Sequence, residues 1–354
     1  MKKTLFTLIA CAGFLCGCAS ESQSSNGKAA SSECQHQYVS NKVEATCVSQ
    51  GYTKHVCQIC KASYIDSYVD AKGHDYVERD QNYKCSRCDR YEDDGFSFEL
   101  ITSTMARYND AYSGRVDTYQ ITGASDEAVE NGNVSFPRKH LGCEVSGAAR
   151  GCLANRRRSI KSIEIPSTCR YIGSSLMTPD GGYMKPEIAI PLEKVTFSSA
   201  CSKINISHTA FQWCYGLKTI QYPSNCFSKI NHDDNIGGHF LFEDTAYYKD
   251  NVKTEDGLSS LDNMLLSSET EDVKSDVVLK DGTYLIGNSV FKDNTNIKSV
   301  TIPSSVAYIG KSAFYNCLNL KSVTYKGSKE QFEKITIEES AFYNCENIEY
   351  AYSK

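Results

Sequence analysis

Two CxxC pairs, "CQIC" (57–60) and "CSRC" (85–88), lie in a stretch that also holds Cys34 and Cys47. A CxxC turn directs two thiolates at one centre, the arrangement that tetrahedral zinc requires. The stretch repeats itself: His36-x-Tyr38 precedes Cys57 and Cys60, and His74-x-Tyr76 precedes Cys85 and Cys88. Six cysteines and two histidines make eight donors, enough for two four-coordinate structural zinc sites. The economical partition puts Cys47, Cys57, Cys60 and His74 on one ion and Cys34, His36, Cys85 and Cys88 on the other. His55 stays outside, because Tyr83 takes its place in the second half. Four protein ligands leave no position for a catalytic water, so the module reads as a staple. Disulfides are the competing chemistry, since six cysteines in an exported chain can pair, but they leave the His-x-Tyr repeats unexplained. A redox CxxC would need a thioredoxin-like βαβ context, which is not visible.

No other residue set carries a reaction. Gly-x-Ser-x-Gly, His-Glu-x-x-His, P-loop and dinucleotide patterns are absent, so the chain reads as a non-enzyme. His140, His208, His232 and His239 have no partner pattern, and "NHDDNIGGHF" (231–240) lacks calcium-loop spacing. The triple arginine 156–158 reads as a solvated turn.

The amino terminus supplies the compartment. Lys2 and Lys3 precede the apolar "TLFTLIACAGFL" (4–15), which is too short to span a bilayer and reads as a secretory signal. It ends in "LCGC" (15–18), which resembles a bacterial lipobox and makes Cys18 the lipid acceptor. Two or more acyl chains, at about 0.8 kcal/mol per buried CH₂, anchor stably where one is marginal. The Ser- and Ala-rich 19–33 then reads as a flexible tether. The formal charge of −5 over 354 residues argues against a nucleic-acid partner.

Beyond the cysteine module at 34–95 the chain repeats. "IKSVTIPSSVAYIGKSAFYNCLNLKSV" (297–323) is matched in its first half by "IKSIEIPSTCRYIGSSLM" (160–177) and in its second by "AFQWCYGLKTI" (210–220). "IGNSVFKDNTNIKSV" (286–300) and "AFYNCENIEYAY" (341–352) continue the series, and Val277, Val300 and Val323 stand 23 residues apart. A face that one repeat cannot bury alone is buried by stacking neighbours. Val300-x-Ile302 alternates with period two, as in a short strand with one face inward. Cys317 recurs as Cys214 and Cys345 and is replaced by Asn294, so it reads as a small inward packing residue rather than a ligand. Cys169 and Cys226 match Val306 and read the same way, while Cys143 and Cys152 are near enough for a local disulfide.

The unit resembles the BspA-like class of leucine-rich-repeat surface proteins, with a small zinc-ribbon-like Cys/His module before it. That resemblance implies a β-rich solenoid, a right-handed coil with short parallel strands, over 96–354. Its start is degenerate at 96–155, and an acidic, Ser-rich insertion interrupts it at 231–276. It also implies a surface protein that binds a protein or glycan. The outward strand positions are the candidate face: Ser162, Glu164, Lys194, Thr196, Thr219, Gln221, Ser299, Thr301, Ser322 and Thr324. Trp213 and Tyr215 add aromatic contacts beside it. The alternative is a scaffolding lipoprotein of the cell envelope with no external ligand.

Overall fold

A computed structural model describes residues 34–79, 81–108, 115–178, 190–231, 241–269 and 271–353. Cys18, the signal segment, the tether, His232 and His239 lie outside the described residues. The chain forms two compact units. The first runs to Asp75 and adds Ser86–Cys88; the second comprises Tyr76–Cys85 and Asp89–Lys354. The division thus falls inside the stretch 34–95 that the cysteine spacing groups together. No helix among the described residues is long and apolar enough to cross a membrane.

The first unit is a three-stranded antiparallel sheet of Tyr38–Val43, Gly51–Cys57 and Ser63–Val69, with the middle strand central. Tyr38 faces Cys57 and His55 faces Tyr64 across it. Aromatic rings link the strands on one face: Tyr38 meets Tyr64 edge-on at 5.0 Å, and Tyr64 stacks on His55 at 4.5 Å. His55 is held between the Ser40 hydroxyl and the Asp66 carboxylate, at 2.8 and 2.9 Å, and is no part of a cysteine cluster. Among its described apolar side chains only Ala45 and Cys57 are buried. Such a sheet lacks the core that holds larger domains together.

The second unit is a solenoid. Each regular coil gives two short strands, one from the Ser-Val-Thr-Ile stretch and one from Tyr-Ile-Gly. The first kind builds two four-stranded parallel ladders. One ladder stacks Asn133–Ser135, Ser162–Ile165, Lys194–Phe197 and Thr219–Gln221. The other stacks Asp276–Val278, Ser299–Ile302, Ser322–Tyr325 and Glu349–Tyr352. Register is kept by identical residues: Val277 pairs with Val300, Val300 with Val323, and Thr301 with Thr324. The Tyr-Ile-Gly strands run parallel in turn, as Tyr308 pairs with Leu285 and with Thr336.

The inward residues are those the repeat selects. Val300, Ile302, Ile309, Ala313, Phe314, Cys317 and Leu320 are all buried. The Phe291, Phe314 and Phe342 rings stack at 4.9 and 4.8 Å, one coil spacing apart. Two non-glycine positions per coil take the left-handed conformation: Ser289, Ser312 and Ser340 before the apolar pair, and Asp293, Asn316 and Asn344 after the Phe. Asn and Asp tolerate that region, and here their amides also bridge coils. Asn316 donates to Asp293 at 2.8 Å and accepts from Asn344 at 2.7 Å. Trp213 occupies the same left-handed position, at φ 62°, and its backbone N–H donates to Asp244 at 3.0 Å.

Two features end the regularity. At the start, Phe96–Leu100 runs antiparallel to Tyr119–Ala124, and the hairpin Tyr76–Arg79/Asn82–Cys85 belongs to this unit. Arg138 lies over the Tyr83 ring at 3.4 Å and pairs with Glu92 at 2.9 Å. His140, without a partner motif in the sequence, bonds Asp93 at 2.7 Å and stacks on Phe98. In the middle, the described part of the insertion forms a helix Ala246–Asn251, an antiparallel hairpin Lys253–Glu255/Leu258–Leu261 and the strand Met264–Ser268. That last strand rejoins the solenoid by pairing in parallel with Leu285–Ile286.

Gly310 follows the Tyr-Ile strand where the preceding coil comes closest. A Cβ there would stand 2.7 Å from the Asn288 backbone nitrogen and 2.7 Å from the Gly287 carbonyl carbon. Gly310→Ala therefore forces two coils apart and is expected to cost about 1–3 kcal/mol. Phe314→Ala, which breaks the ring stack, is expected to cost about 3–5 kcal/mol. Both are read from the urea unfolding midpoint against the parent chain.

Candidate functional site

The Cys/His donors assemble, in a different partition from the one the spacing favours. Cys34, His36, Cys57 and Cys60 form one group, with one donor atom from each lying within 4.8 Å of all the others. Cys47, His74 and Cys88, all of the first unit, gather on the same criterion. The correction has a plain cause. Pairing of Tyr38 with Cys57 brings the start of the first strand beside the end of the second, so Cys34 and His36 meet the nearer CxxC.

The first group has the geometry of a metal knuckle. Cys57 closes its strand, its N–H donates to Ala62 O at 2.8 Å, and Lys61, left-handed at φ 65°, returns its N–H to Cys57 O at 3.0 Å. Gln58 N–H donates to Gln37 O at 2.8 Å and ties the turn to the segment that carries His36. His36 Nδ1 lies 3.2 Å from Cys60 Sγ. Zn–S bonds of about 2.3 Å place tetrahedral donors roughly 3.8 Å apart, so the group fits zinc without a large shift.

Its electrostatics fit as well. The Cys60 backbone N–H, despite opposing desolvation, holds the Cys57 thiol down at about 5. Cys34 is pushed up to about 11, first by its hydrogen bond with Cys60 and then by burial and the neighbouring thiols. One thiolate forms readily and opposes the next. A divalent cation removes that opposition, because metal ligation selects deprotonated sulfur.

Beyond these donors, the described cysteines are buried packing groups of the solenoid, except Cys143 and Cys345, which are half-buried. Cys317 is fully buried and its thiol donates to Phe291 O at 3.0 Å. Contact with the Cys345 thiol and burial push Cys317 up, away from thiolate chemistry. Burial likewise raises Cys169 and Cys226, each to about 12. Cys143 and Cys152, close enough in sequence to invite a bridge, are both free thiols.

The outward strand positions all reach solvent, exposed or half-exposed, but on two ladders. Ser162, Glu164, Lys194, Thr196, Thr219 and Gln221 lie on the first; Ser299, Thr301, Ser322 and Thr324 lie on the second. The register adds residues that the repeat frame also marks: Asn133 and Ser135 at one end, Asp276 and Val278 at the break. Side chains bond along the columns. Ser135 donates to Glu164 at 2.9 Å, Ser162 to Asn133, and Ser299 to Asp276 at 2.6 Å. Ser275 also donates to Asp276, at 3.1 Å, and the two bonds, that of Ser299 first, hold the Asp276 carboxyl below its usual range. Beside the first ladder Tyr215 is exposed, with the Lys249 ammonium 5.9 Å from its ring.

Residues 188–234 and 238–353 match the BspA type leucine rich repeat region in six copies. Among solved structures, a leucine-rich-repeat protein of T. pallidum is similar at 18% identity and a TM-score of 0.30. The match covers 72% of this chain and 88% of that one. A leucine-rich-repeat protein from Bacteroides ovatus matches at 17% identity and a TM-score of 0.31, over 74% of this chain and 52% of that one. The pneumococcal vaccine antigen PcpA matches at 16% identity and a TM-score of 0.23, over 63% and 56%. No curated protein matches the sequence.

Exposure separates the thiols chemically. Cys60 and Cys88 are exposed, whereas Cys317, Cys214 and Cys169 are buried. In the folded chain with a chelator present, iodoacetamide is expected to alkylate Cys60 and Cys88 within minutes and leave those three unmodified until denaturant is added. Peptide mass mapping reads the order; early labelling of Cys317 would contradict its place in the core.

Proposed function

The chain carries a BspA-type leucine-rich-repeat region, and from that premise we propose an exported, lipid-anchored protein that binds a surface protein or glycan. The supporting observation is the outward column of polar side chains in each ladder, repeated at the coil spacing and open to solvent. Solenoids present their ligand surfaces as such extended faces. The "LCGC" stretch supports Cys18 as the point of lipid attachment and so a position at the membrane surface. The work of the protein in this reading is binding, not catalysis.

Zinc is the group that suits the first Cys/His set, three sulfurs and one imidazole nitrogen within one unit, and the repeated donors of the sequence suit a second ion. Cys34, His36, Cys57 and Cys60 would hold one ion, and Cys47, His74, Cys85 and Cys88 the other. The ions close their sets completely and supply stability rather than reactivity. The purified chain without residues 1–18 is therefore expected to carry two zinc equivalents by elemental analysis. Cys57→Ser should remove one.

The binding reading is tested with the same soluble chain against matrix proteins, glycans and intact cells. The variant T219K/Q221K/T301K/T324K, which leaves every inward residue in place, is expected to lose the interaction. Binding that survives those four lysines would take the ligand off the strand face. Absence of any ligand for the folded, zinc-loaded chain would favour a scaffold within the envelope.

A further inference from the structure

Two cysteines occupy the same place in consecutive coils. Cys317 stands three residues after Phe314, and Cys345 three after Phe342. The turns that carry them are stacked in register. Phe314 N–H donates to Ala341 O at 2.7 Å and Asn316 N–H to Tyr343 O at 2.9 Å. The Phe314 and Phe342 rings stack at 4.8 Å, the Tyr315 and Tyr343 rings at 5.1 Å, and the Asn344 amide donates to Asn316 at 2.7 Å. Cys345 Sγ reaches back to the preceding coil and donates to Phe314 O at 2.9 Å, as Cys317 Sγ does to Phe291 O at 3.0 Å. In that arrangement the two thiols are in contact. Coils stacked about 4.8 Å apart bring equivalent residues inside the Cα separation of roughly 4.4–6.8 Å that a disulfide spans.

The neighbouring positions do not offer the same pair. The preceding coil has Asn294 in this place. Cys214, the equivalent beside the other ladder, feels burial first and then the Asp244 carboxylate, and no thiol among the described residues. Cys169, Cys201 and Cys226 are all buried, where a reagent does not reach them. Within the pair, access differs: Cys317 is fully buried and Cys345 half-buried. Cys345 is also the member that ionises. Its hydrogen bond with the Cys317 thiol first, and then, against burial, the Cys317 backbone N–H and the Lys321 ammonium hold it down at about 7. A reachable thiol that ionises near ambient pH is the effective attacking sulfur in exchange.

We infer that Cys345 and Cys317 form a thiol–disulfide exchange site, at which a disulfide of low molecular weight oxidises them to a bond joining neighbouring coils. Cys345 Sγ, as thiolate, attacks one sulfur of the incoming R–S–S–R. A mixed disulfide forms, and the first R–S⁻ leaves and takes up a proton. Cys317 Sγ then attacks Cys345 Sγ, and its proton goes to the second R–S⁻ as that leaves. The two cysteines give up two electrons and two protons, and the incoming disulfide is reduced to two thiols. The new bond closes the intervening coil, with the strand Ser322–Tyr325 and the helix Lys329–Phe332, into a ring. The coil that carries Cys345 is then unable to separate from its neighbour, and the unfolded chain is restricted as well. This site is independent of the strand face and of the zinc sets.

The test uses the reduced chain from residue 19, with zinc present, treated with glutathione disulfide at neutral pH. Free thiols are then blocked with N-ethylmaleimide in denaturant, and the chain is cut with trypsin without reductant. The expected product is peptide 312–321 joined to peptide 335–354, with Cys214 recovered as a blocked free thiol. The CxxC thiols lie in other peptides, so failure of the zinc reading leaves this result readable. Cys317→Ser should halt the reaction at a glutathione mixed disulfide on Cys345, and Cys345→Ser should leave Cys317 unmodified. Oxidation should raise the urea midpoint of the parent chain and reductant should reverse the rise; neither variant should show it. The inference is overturned by absence of the joined peptides in the folded parent chain, or by joining that occurs only in denaturant. It is equally overturned by a mixed disulfide on Cys345 that persists beside an intact Cys317, or by Cys317 reacting as readily in the Cys345→Ser chain. The parent chain alone carries the first three of those outcomes, so a variant that fails to fold does not shelter the inference.

Discussion

In the second unit a coil buries its apolar face only against the coils on either side, and every other feature there follows from that requirement. Neighbouring strands must lie about 4.8 Å apart and in register, so an inward residue always meets its own equivalent. The Phe291, Phe314 and Phe342 rings satisfy this by stacking nearly parallel. Asn316 satisfies it with amide bonds to Asp293 and Asn344. Cys317 satisfies it with a thiol small enough for the interior and able to donate to the Phe291 carbonyl. Asn294 fills the same position by accepting the N–H groups of Asn296 and Ile297. A small side chain with some hydrogen-bonding capacity is what the position demands; sulfur chemistry is not.

The first unit cannot use that solution. Its three strands expose Val39, Val43, Tyr64 and Ile65, and they bury too little apolar area to offset the chain entropy of ordering them. What converges instead is a set of thiols and imidazoles at the strand ends and turns. Such donors are costly to crowd together without a cation and strongly stabilising with one. Cys57 shows the link between fold and chemistry most directly. It ends a strand, is buried, opens the knuckle turn and carries the depressed thiol.

Inward residues were readable from sequence because stacking forces them to recur. Val277, Val300 and Val323 declared both the strand and its register, and Cys317 declared itself as packing by aligning with Asn294. The eight Cys/His donors were legible as a set because the His-x-Tyr and CxxC elements recur in the sequence. Their partition was not, because it depends on which strand ends lie side by side. The antiparallel pairing of Tyr38 with Cys57 settles that, and no spacing rule encodes it. The place of Tyr76–Cys85 beside Arg138 and Lys139 was equally hidden, since it rests on single contacts made once along the chain.

Freedom in a stacked ladder lies in two places. Outward side chains are not held to any equivalence, so Glu164, Lys194, Gln221 and Thr324 can differ in charge and shape while the strands beneath them keep register. The other place is a coil that departs from the repeat. Among the described residues no ladder strand precedes Asp276–Val278, and the inserted hairpin lines a cleft beside it. An exposed edge is an aggregation hazard that folds normally cover or blunt. Here it is short, flanked by charge and recessed.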